Sequence, residues 1–123
     1  MHTILIVDDS ATMRTLVRSA LEADGHTIVE APGGAAALAA LERDAADLVI
    51  TDVHMPEMDG LALTQTLRGD SRFRGLPILV LTTEATDAMK ARGRTVGATG
   101  WLVKPFHPDT LRRTVRRVLE PAA

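Results

Sequence analysis

The stretch Ile4-Leu5-Ile6-Val7-Asp8-Asp9-Ser10 joins a short apolar run to two carboxylates and a helix-capping residue. The apolar run predicts a buried strand, because parallel strands that are covered on both faces contain few polar residues. Ser10 is a favoured N-cap, so a helix is predicted to begin directly after the acids. This step from strand to helix predicts that both carboxylates lie at the carboxyl edge of a sheet.

The rest of the chain repeats this alternation of short apolar runs and helical patterns. Strands are predicted at residues 4–7, 27–31, 48–51, 78–81 and 100–103. Helices are predicted from Ser10 to a stop at Gly25, at residues 35–42, 61–68 and 86–95, and from Pro108 onwards. This alternation predicts an α/β fold, a doubly wound five-stranded parallel sheet of order 2-1-3-4-5 with five helices, as in flavodoxin-like proteins. Because no repeat or linker interrupts the pattern, residues 1–123 are expected to form a single domain without an output domain.

Composition excludes several classes of function. A net charge of -2 argues against a general nucleic-acid-binding protein. The absence of cysteine excludes disulfides, thiolate metal sites and a catalytic thiol. No apolar run approaches the roughly 18 residues that a membrane span needs, and the apolar run near the start is too short for a signal peptide. We therefore expect a cytoplasmic monomer that does not bind nucleic acid and does not insert into membranes.

The predicted sheet brings polar side chains to one edge. In doubly wound sheets, ligands bind at the carboxyl ends of the strands, where the winding direction reverses. For order 2-1-3-4-5, the reversal lies between strand one, which precedes Asp8 and Asp9, and strand three, which precedes Asp52. Strand four is followed by Thr82, and strand five by Lys104. The sequence thus predicts three carboxylates, a hydroxyl and an ammonium group at this edge.

The charges of this predicted cluster require a cation. Three carboxylates and one ammonium group leave two negative charges, which one Mg²⁺ would neutralise, and oxygen ligands favour Mg²⁺ over Zn²⁺. A magnesium ion that keeps water ligands can also bind a phosphoryl oxygen, so Asp52 is a candidate nucleophile that would form an aspartyl phosphate. Lys104 would then neutralise charge on the phosphoryl oxygens, and Thr82 would donate a hydrogen bond to one of them.

Four stretches of the chain resemble the signature motifs of bacterial response-regulator receiver domains. They are Val7-Asp8-Asp9-Ser10, residues 51–60 (TDVHMPEMDG), Leu81-Thr82-Thr83-Glu84 and Val103-Lys104-Pro105-Phe106. The resemblance extends over the whole chain, and residues 9–14 and 98–106 are similar, more narrowly, to the stand-alone CheY-like chemotaxis regulators of that family. It implies a signalling switch of a two-component system. It also implies that the protein is not an enzyme beyond catalysing its own phosphorylation and slow dephosphorylation.

The resemblance assigns roles to individual residues. It implies that Asp52 accepts the phosphoryl group from a histidine kinase, and that Thr82 and Lys104 bind that group. The implied ligands of Mg²⁺ are Asp8, Asp9, Asp52 and the backbone carbonyl of His54. The side chains of His54 and Glu84 occupy the positions that help to set the rate of dephosphorylation in this family. The peptide bond between Lys104 and Pro105 is expected to be cis.

The same resemblance implies a conformational readout. Trp101 stands where the family carries its switch aromatic, usually Tyr or Phe. In that family, the residue equivalent to Thr82 moves towards the phosphoryl group and the aromatic turns inward. The surface of helix four, strand five and helix five then changes its affinity for a partner, for which a flagellar motor switch protein is one candidate.

Other interpretations stay open at the level of sequence. The chain could be a phosphate sink that drains a kinase and binds no effector, or a phosphotransferase or phosphatase that uses an Asp nucleophile. A flavin or nucleotide binder of the same architecture is disfavoured, because Asp8 and Asp9 would repel a phosphate group. The last helix carries Arg112, Arg113, Arg116 and Arg117, which form either a solvated helix face or a docking patch for an acidic partner.

Overall fold

The computed structural model of the chain describes residues 2–84 and 86–120, and within them strands and helices alternate as predicted. The strands are β1 (Thr3–Val7), β2 (Thr27–Ala31), β3 (Leu48–Asp52), β4 (Ile78–Thr82) and β5 (Gly100–Val103). The helices are α1 (Ala11–Glu22), α2 (Gly34–Arg43), α3 (Gly60–Arg68), α4 (Asp87–Val96) and α5 (Pro108–Leu119), with a short 3-10 turn at Ser71–Phe73.

The strands form one parallel sheet of order β2-β1-β3-β4-β5, which confirms the predicted topology. The register aligns the carboxyl ends of the central strands. Val7 is paired with Thr51, the residue before Asp52, and Thr82 is paired with Val103, the residue before Lys104. Side chains that follow these strands are therefore held at a common edge.

Helices cover both faces of the sheet. Ile4 and Ile6 of β1 pack in a cluster with residues of α1 and α5, whereas Leu5 and Val7 pack in a cluster with residues of α2 and α3. Because the strand interiors are buried on both sides, polar function is confined to the strand ends and the loops that follow them. Among the helices of residues 2–84 and 86–120, none combines the length and the apolar character that crossing a membrane requires.

Two helix boundaries show how capping fixes element ends. The predicted fourth helix began at Thr86, but Thr86 is the N-cap of α4 and its side chain accepts a hydrogen bond from the backbone N–H of Met89. Helix α1 ends at Glu22, and Gly25 adopts a left-handed φ of 86° in the turn that leads to β2. The apolar pattern therefore placed each helix correctly, and the caps account for the differences at the ends.

Candidate functional site

The structure brings together the three acidic side chains that follow β1 and β3. A carboxylate oxygen of each of Asp8, Asp9 and Asp52 lies within 4.8 Å of the others. Asp8 is buried, Asp52 is partly buried and Asp9 is exposed. The cluster thus reaches from the sheet edge to the solvent, which leaves it open to an ion from one side.

Lys104 places a cation between two of these acids. Its Nζ lies 3.1 Å from Oδ2 of Asp8 and 3.3 Å from Oδ2 of Asp52. The Lys104 side chain is only 10% exposed. Its backbone N–H also donates to the carbonyl of Thr82 at 2.8 Å, which fixes the chain where it leaves β5. The ammonium group is therefore held in place by both strands and acids.

Backbone hydrogen bonds orient the two inner carboxylates. The N–H of Ser10 donates to Oδ1 of Asp8 at 2.9 Å, and the N–H of Val53 donates to Oδ1 of Asp52 at 2.8 Å. Both oxygens of each carboxylate thus face a hydrogen-bond donor, since Lys104 contacts Oδ2 in each case. These contacts fix the two side chains in one orientation before any ligand binds.

The environment of Asp52 disfavours its negative charge. Burial raises the pKa of the Asp52 carboxyl above its usual range, and the Asp8 charge contributes to the increase, while the nearby Lys104 ammonium opposes it. Without a bound cation, the positive charge of Lys104 therefore does not fully compensate the negative charge of Asp52. A further cation at the cluster would supply that charge.

The donor set fits a magnesium ion. It consists of carboxylate oxygens and contains neither thiolate nor imidazole, which is the ligand chemistry that Mg²⁺ prefers. Three carboxylates beside one ammonium group also leave an excess of negative charge for a divalent cation to balance. Asp8, Asp9 and Asp52 would hold the ion, and a contribution from the His54 carbonyl stays a prediction.

Replacing Asp9 with Ala should weaken Mg²⁺ binding by about tenfold or more, since even changes to groups that only orient a metal ligand cost roughly that much. The fold should tolerate the change, because the side chain is exposed. Mg²⁺ affinity can be measured from the fluorescence of Trp101, which is the only tryptophan. Asp44→Ala is the matched control, because Asp44 is an exposed acid just before β3, at the opposite end of the sheet. Unchanged Mg²⁺ affinity in Asp9→Ala would contradict the assignment.

The loop after β3 ends at a glycine that close packing requires. Backbone conformation does not require Gly60, since its φ is not left-handed. A Cβ at Gly60 would instead lie 2.0 Å from the carbonyl oxygen of Asp52. The N–H of Gly60 donates to the carbonyl of Val53 at 2.8 Å, so α3 begins directly against the end of β3. Gly60 therefore helps to position Asp52.

Two side chains pair at the exposed rim of the site. Nε2 of His54 lies 2.6 Å from Oε1 of Glu84, and both side chains are largely exposed. The imidazole of His54 thus faces solvent and has a partner on the neighbouring loop. Below this pair, Thr82 is buried, and its hydroxyl oxygen accepts a hydrogen bond from the N–H of Glu84 at 3.1 Å. The rim is therefore linked to the end of β4.

Arg14 supports the site and was missed by sequence reasoning. Its Nη1 donates to the carbonyl of Asp8 at 2.6 Å, and its Nε donates to Glu30 of β2 at 2.9 Å. Arg18, one helical turn further along α1, also pairs with Glu30. The spacing of the two arginines was visible in the sequence, but the acid that they share lies on another element. This network joins α1 and β2 to the backbone of Asp8.

Two further sequence predictions concern β5 and the residues that follow it. Trp101 packs on the other side of β5 from α5, in a cluster with Val53, Leu61 and Val80. The peptide bond between Lys104 and Pro105 is cis, as expected.

The basic residues of α5 divide into two groups. Arg116 pairs with Asp24 at 2.9 Å, and Arg112 pairs with Asp109. Arg113 and Arg117 are exposed and form no ion pair with any residue in the described ranges. Two of the four arginines are therefore engaged in ion pairs within the protein, and Arg113 and Arg117 could pair with an acidic partner without breaking such a pair.

Comparison with known proteins supports one family. The model of the response regulator receiver domain matches residues 4–116. Chemotaxis protein CheY1 of Helicobacter pylori is 39% identical over 118 residues, which cover 94% of this chain and 95% of that protein. Chemotaxis protein CheY-3 of Vibrio cholerae is 37% identical over 118 residues, which cover 95% of this chain and 91% of that protein.

Solved structures share this fold. Chemotaxis protein CheY4 of Vibrio cholerae superposes with a TM-score of 0.93 at 44% identity, covering 97% of this chain and 99% of that chain. The receiver domain of a signal transduction histidine kinase from Syntrophus aciditrophicus superposes with a TM-score of 0.90 at 34% identity, covering 97% of this chain and 90% of that chain.

Proposed function

Because the chain belongs to the response regulator receiver domain family, we propose that it is a phosphorylation-activated switch of a two-component system that acts in chemotaxis. The observation that carries the proposal is the position of Lys104 between Asp8 and Asp52, with Asp9 beside them. This cluster offers a nucleophile, an ammonium group for phosphoryl oxygens and a set of oxygen ligands for Mg²⁺ within one small volume. A histidine kinase is the proposed donor of the phosphoryl group, and the cytoplasm is the proposed location.

In the proposed reaction, a carboxylate oxygen of Asp52 forms a bond to phosphorus as the P–N bond of a phosphohistidine breaks. The electron pair of that bond leaves with the imidazole nitrogen, which takes a proton from solvent. Lys104 neutralises charge on the phosphoryl oxygens, and the hydroxyl of Thr82 donates a hydrogen bond to one of them. Magnesium, when bound by Asp8, Asp9 and Asp52, would supply further positive charge to these oxygens.

The proposed output is a change in the surface formed by α4, β5 and α5. Thr82 ends β4 and Lys104 follows β5, so contacts to a phosphoryl group would pull on both strands. The hydroxyl oxygen of Thr82 accepts a hydrogen bond from the N–H of Glu84, and its O–H is the group that would donate to a phosphoryl oxygen. Trp101, on β5, is the proposed aromatic of the switch. A flagellar motor switch protein is the proposed partner for this surface.

We also propose that the His54–Glu84 pair slows hydrolysis of the aspartyl phosphate. The pair spans the rim of the site between the loops after β3 and β4. Glu84→Ala removes the partner of His54 without touching the acidic cluster, so water should reach the phosphoryl group more readily. Faster decay of the phosphorylated protein is expected in this variant. An unchanged decay rate would exclude the pair as a barrier to water.

The proposed function can be tested with beryllofluoride, which mimics an aspartyl phosphate. In the presence of Mg²⁺, it should change the affinity for the flagellar motor switch protein of the same organism by about 5–150-fold, the usual range of coupling between two sites. Asp52→Asn is the control, because it lacks the carboxylate that coordinates the mimic. An unchanged affinity in the wild-type protein would refute this output.

A phosphate sink is the second candidate. The same acidic cluster and Lys104 would serve it, and the fold is shared with the signal receiver domain of a histidine kinase, which is named as part of a kinase and not as a stand-alone chemotaxis regulator. A sink would accept the phosphoryl group on Asp52 yet show no partner that responds to beryllofluoride. Phosphorylation without any change in partner affinity would therefore select this candidate.

A further inference from the structure

A large aromatic ring on β5 lies directly against a glycine of α4. Gly93 is buried, and a Cβ at this position would lie 2.7 Å from Cζ3 and 3.0 Å from Cε3 of Trp101. Real Cβ atoms do not approach ring carbons so closely without displacement of one partner. The absence of a side chain at residue 93 is therefore what leaves room for the indole.

This glycine is costly for the helix that contains it. It lies in the interior of α4, which spans Asp87–Val96, where Gly is a poorer helix former than Ala. It is also the only fully buried residue of α4. The helix thus approaches the protein most closely at the residue that carries no side chain. Gly93 is therefore required for packing and not for backbone conformation, since its φ is not left-handed.

Opposing effects act on the ring in this position. Packing favours it, because Trp101 contacts a cluster formed by Val53, Leu61 and Val80, together with Met89 and Val96 of α4. The indole N–H opposes it, because Nε1 is buried and has no hydrogen-bond acceptor among the described residues. A ring held by packing alone, with a polar atom that would gain from reaching water, can be displaced by a small change in its contacts.

We propose that Gly93 is the positioning residue for Trp101. Any side chain at residue 93 drives the indole out of its place against α4 and towards solvent. The position of the ring is then set jointly by β5, which carries Trp101, and by α4, which leaves space for it. As a regulatory device this inference rests on the proposed function, because α4 and β5 are two of the three elements of the proposed partner surface.

The test is Gly93→Ala with Trp101 as the single fluorescent probe. The variant should make the indole more accessible to acrylamide, seen as a larger quenching constant, and should move its emission to longer wavelength. Gly75→Ala is the matched control, because a Cβ at Gly75 would meet no atom within 4 Å. Quenching and emission that match the wild-type protein would overturn the proposal, because a ring in an unchanged position cannot be controlled by residue 93.

The effect of Gly93→Ala on Tm in two backgrounds tests the role of Gly93 independently of fluorescence. If Gly93 only lowered helix propensity, Gly93→Ala would raise Tm by about 4 °C in any background. We expect this rise only when the ring is removed, in the Trp101→Leu background, and not in the wild-type background. Equal rises in both backgrounds would overturn the proposal. This comparison remains informative if Gly93→Ala alone is too unstable for spectroscopy.

Beryllofluoride separates this inference from the proposed function. In the wild-type protein the mimic should alter quenching of Trp101, and in Gly93→Ala the alteration should be smaller, because the ring has already left its place. If the mimic has no effect on the wild-type protein, the proposed switch fails. The role of Gly93 is then still decided by quenching and by the stability comparison, neither of which depends on phosphorylation.

Discussion

Asp52→Asn should abolish stable phosphorylation by small phosphodonors such as acetyl phosphate or phosphoramidate. The amide lacks the anionic oxygen that attacks phosphorus, and no neighbouring acid is placed to replace it. The side chain of Asp8 is only 5% exposed, against 13% for Asp52, so a phosphodonor reaches Asp8 less readily. Lys104 pairs with Asp8 and Asp52, and among the described residues it forms no ion pair with Asp9. Incorporated phosphate, measured by intact-protein mass, should therefore fall to background.

The control for this experiment is Asp44→Asn, which removes an exposed acid at the opposite end of the sheet. It should be phosphorylated as readily as the wild-type protein. Phosphate incorporation at the wild-type level in Asp52→Asn would refute the assignment of the acceptor. Incorporation that moves to another acid would be recognised by locating the modified peptide, and it would refute the view that the contacts of Asp52 make it the one reactive carboxylate.

The Asp52→Asn variant should also be more stable than the wild-type protein at neutral pH in the absence of metal. Because burial raises the pKa of Asp52, the folded protein holds this proton more tightly than the unfolded chain does. The wild-type protein therefore loses stability as pH rises from the ordinary Asp range through the raised pKa, and Asn does not. In urea unfolding with EDTA, the free energy of unfolding of Asp52→Asn should exceed that of the wild-type protein at pH values above the raised pKa. The difference should disappear at pH values below the ordinary Asp range, and a difference that does not depend on pH would contradict this account.

The fold was largely predictable because its signals are local. The run from Ile4 to Val7, the cap at Ser10 and the punctuating glycines determine where elements begin and end, and β1, β3 and β4 each differ from prediction by one residue at one end. Asp52 and Thr82 extend these strands because their backbones continue the pairing of the preceding apolar residues. Strand order then followed from the winding rules of parallel sheets.

The contacts that the sequence did not reveal join residues on different elements. Gly60 is required by the carbonyl of Asp52, and Gly93 by the ring of Trp101. Arg14 reaches both Asp8, which follows β1, and Glu30 of the neighbouring strand β2. A sequence pattern gives the type and order of residues, whereas these contacts depend on distances of closest approach that only the assembled structure fixes. The convergence of the acids was foreseeable because topology alone places strand ends together.

Lys104→Ala should permit some phosphorylation but uncouple it from partner binding. Asp52 and the other acids remain, so a phosphodonor can still react. Lys104, however, lies between the end of β5 and the start of α5 and is the cation that reaches back to the site. Without the ammonium group of Lys104, no ion pair connects the phosphoryl oxygens to the segment between β5 and α5. The affinity change produced by beryllofluoride should therefore be largely lost, although phosphate can still be incorporated.

Removing this cation should also change the response to metal. Without Lys104, the charges of Asp8 and Asp52 would face each other with no cation between them. We expect this to destabilise the metal-free protein by roughly 2 kcal/mol, which is less than for a fully buried pair because the site is open to solvent on the side of Asp9. Mg²⁺ should then raise Tm more in the variant than in the wild-type protein, since the ion alone must balance the acids. Lys104→Met keeps the aliphatic stem and separates loss of charge from loss of packing. A wild-type response to beryllofluoride in both variants would show that the signal leaves the site by a route other than Lys104.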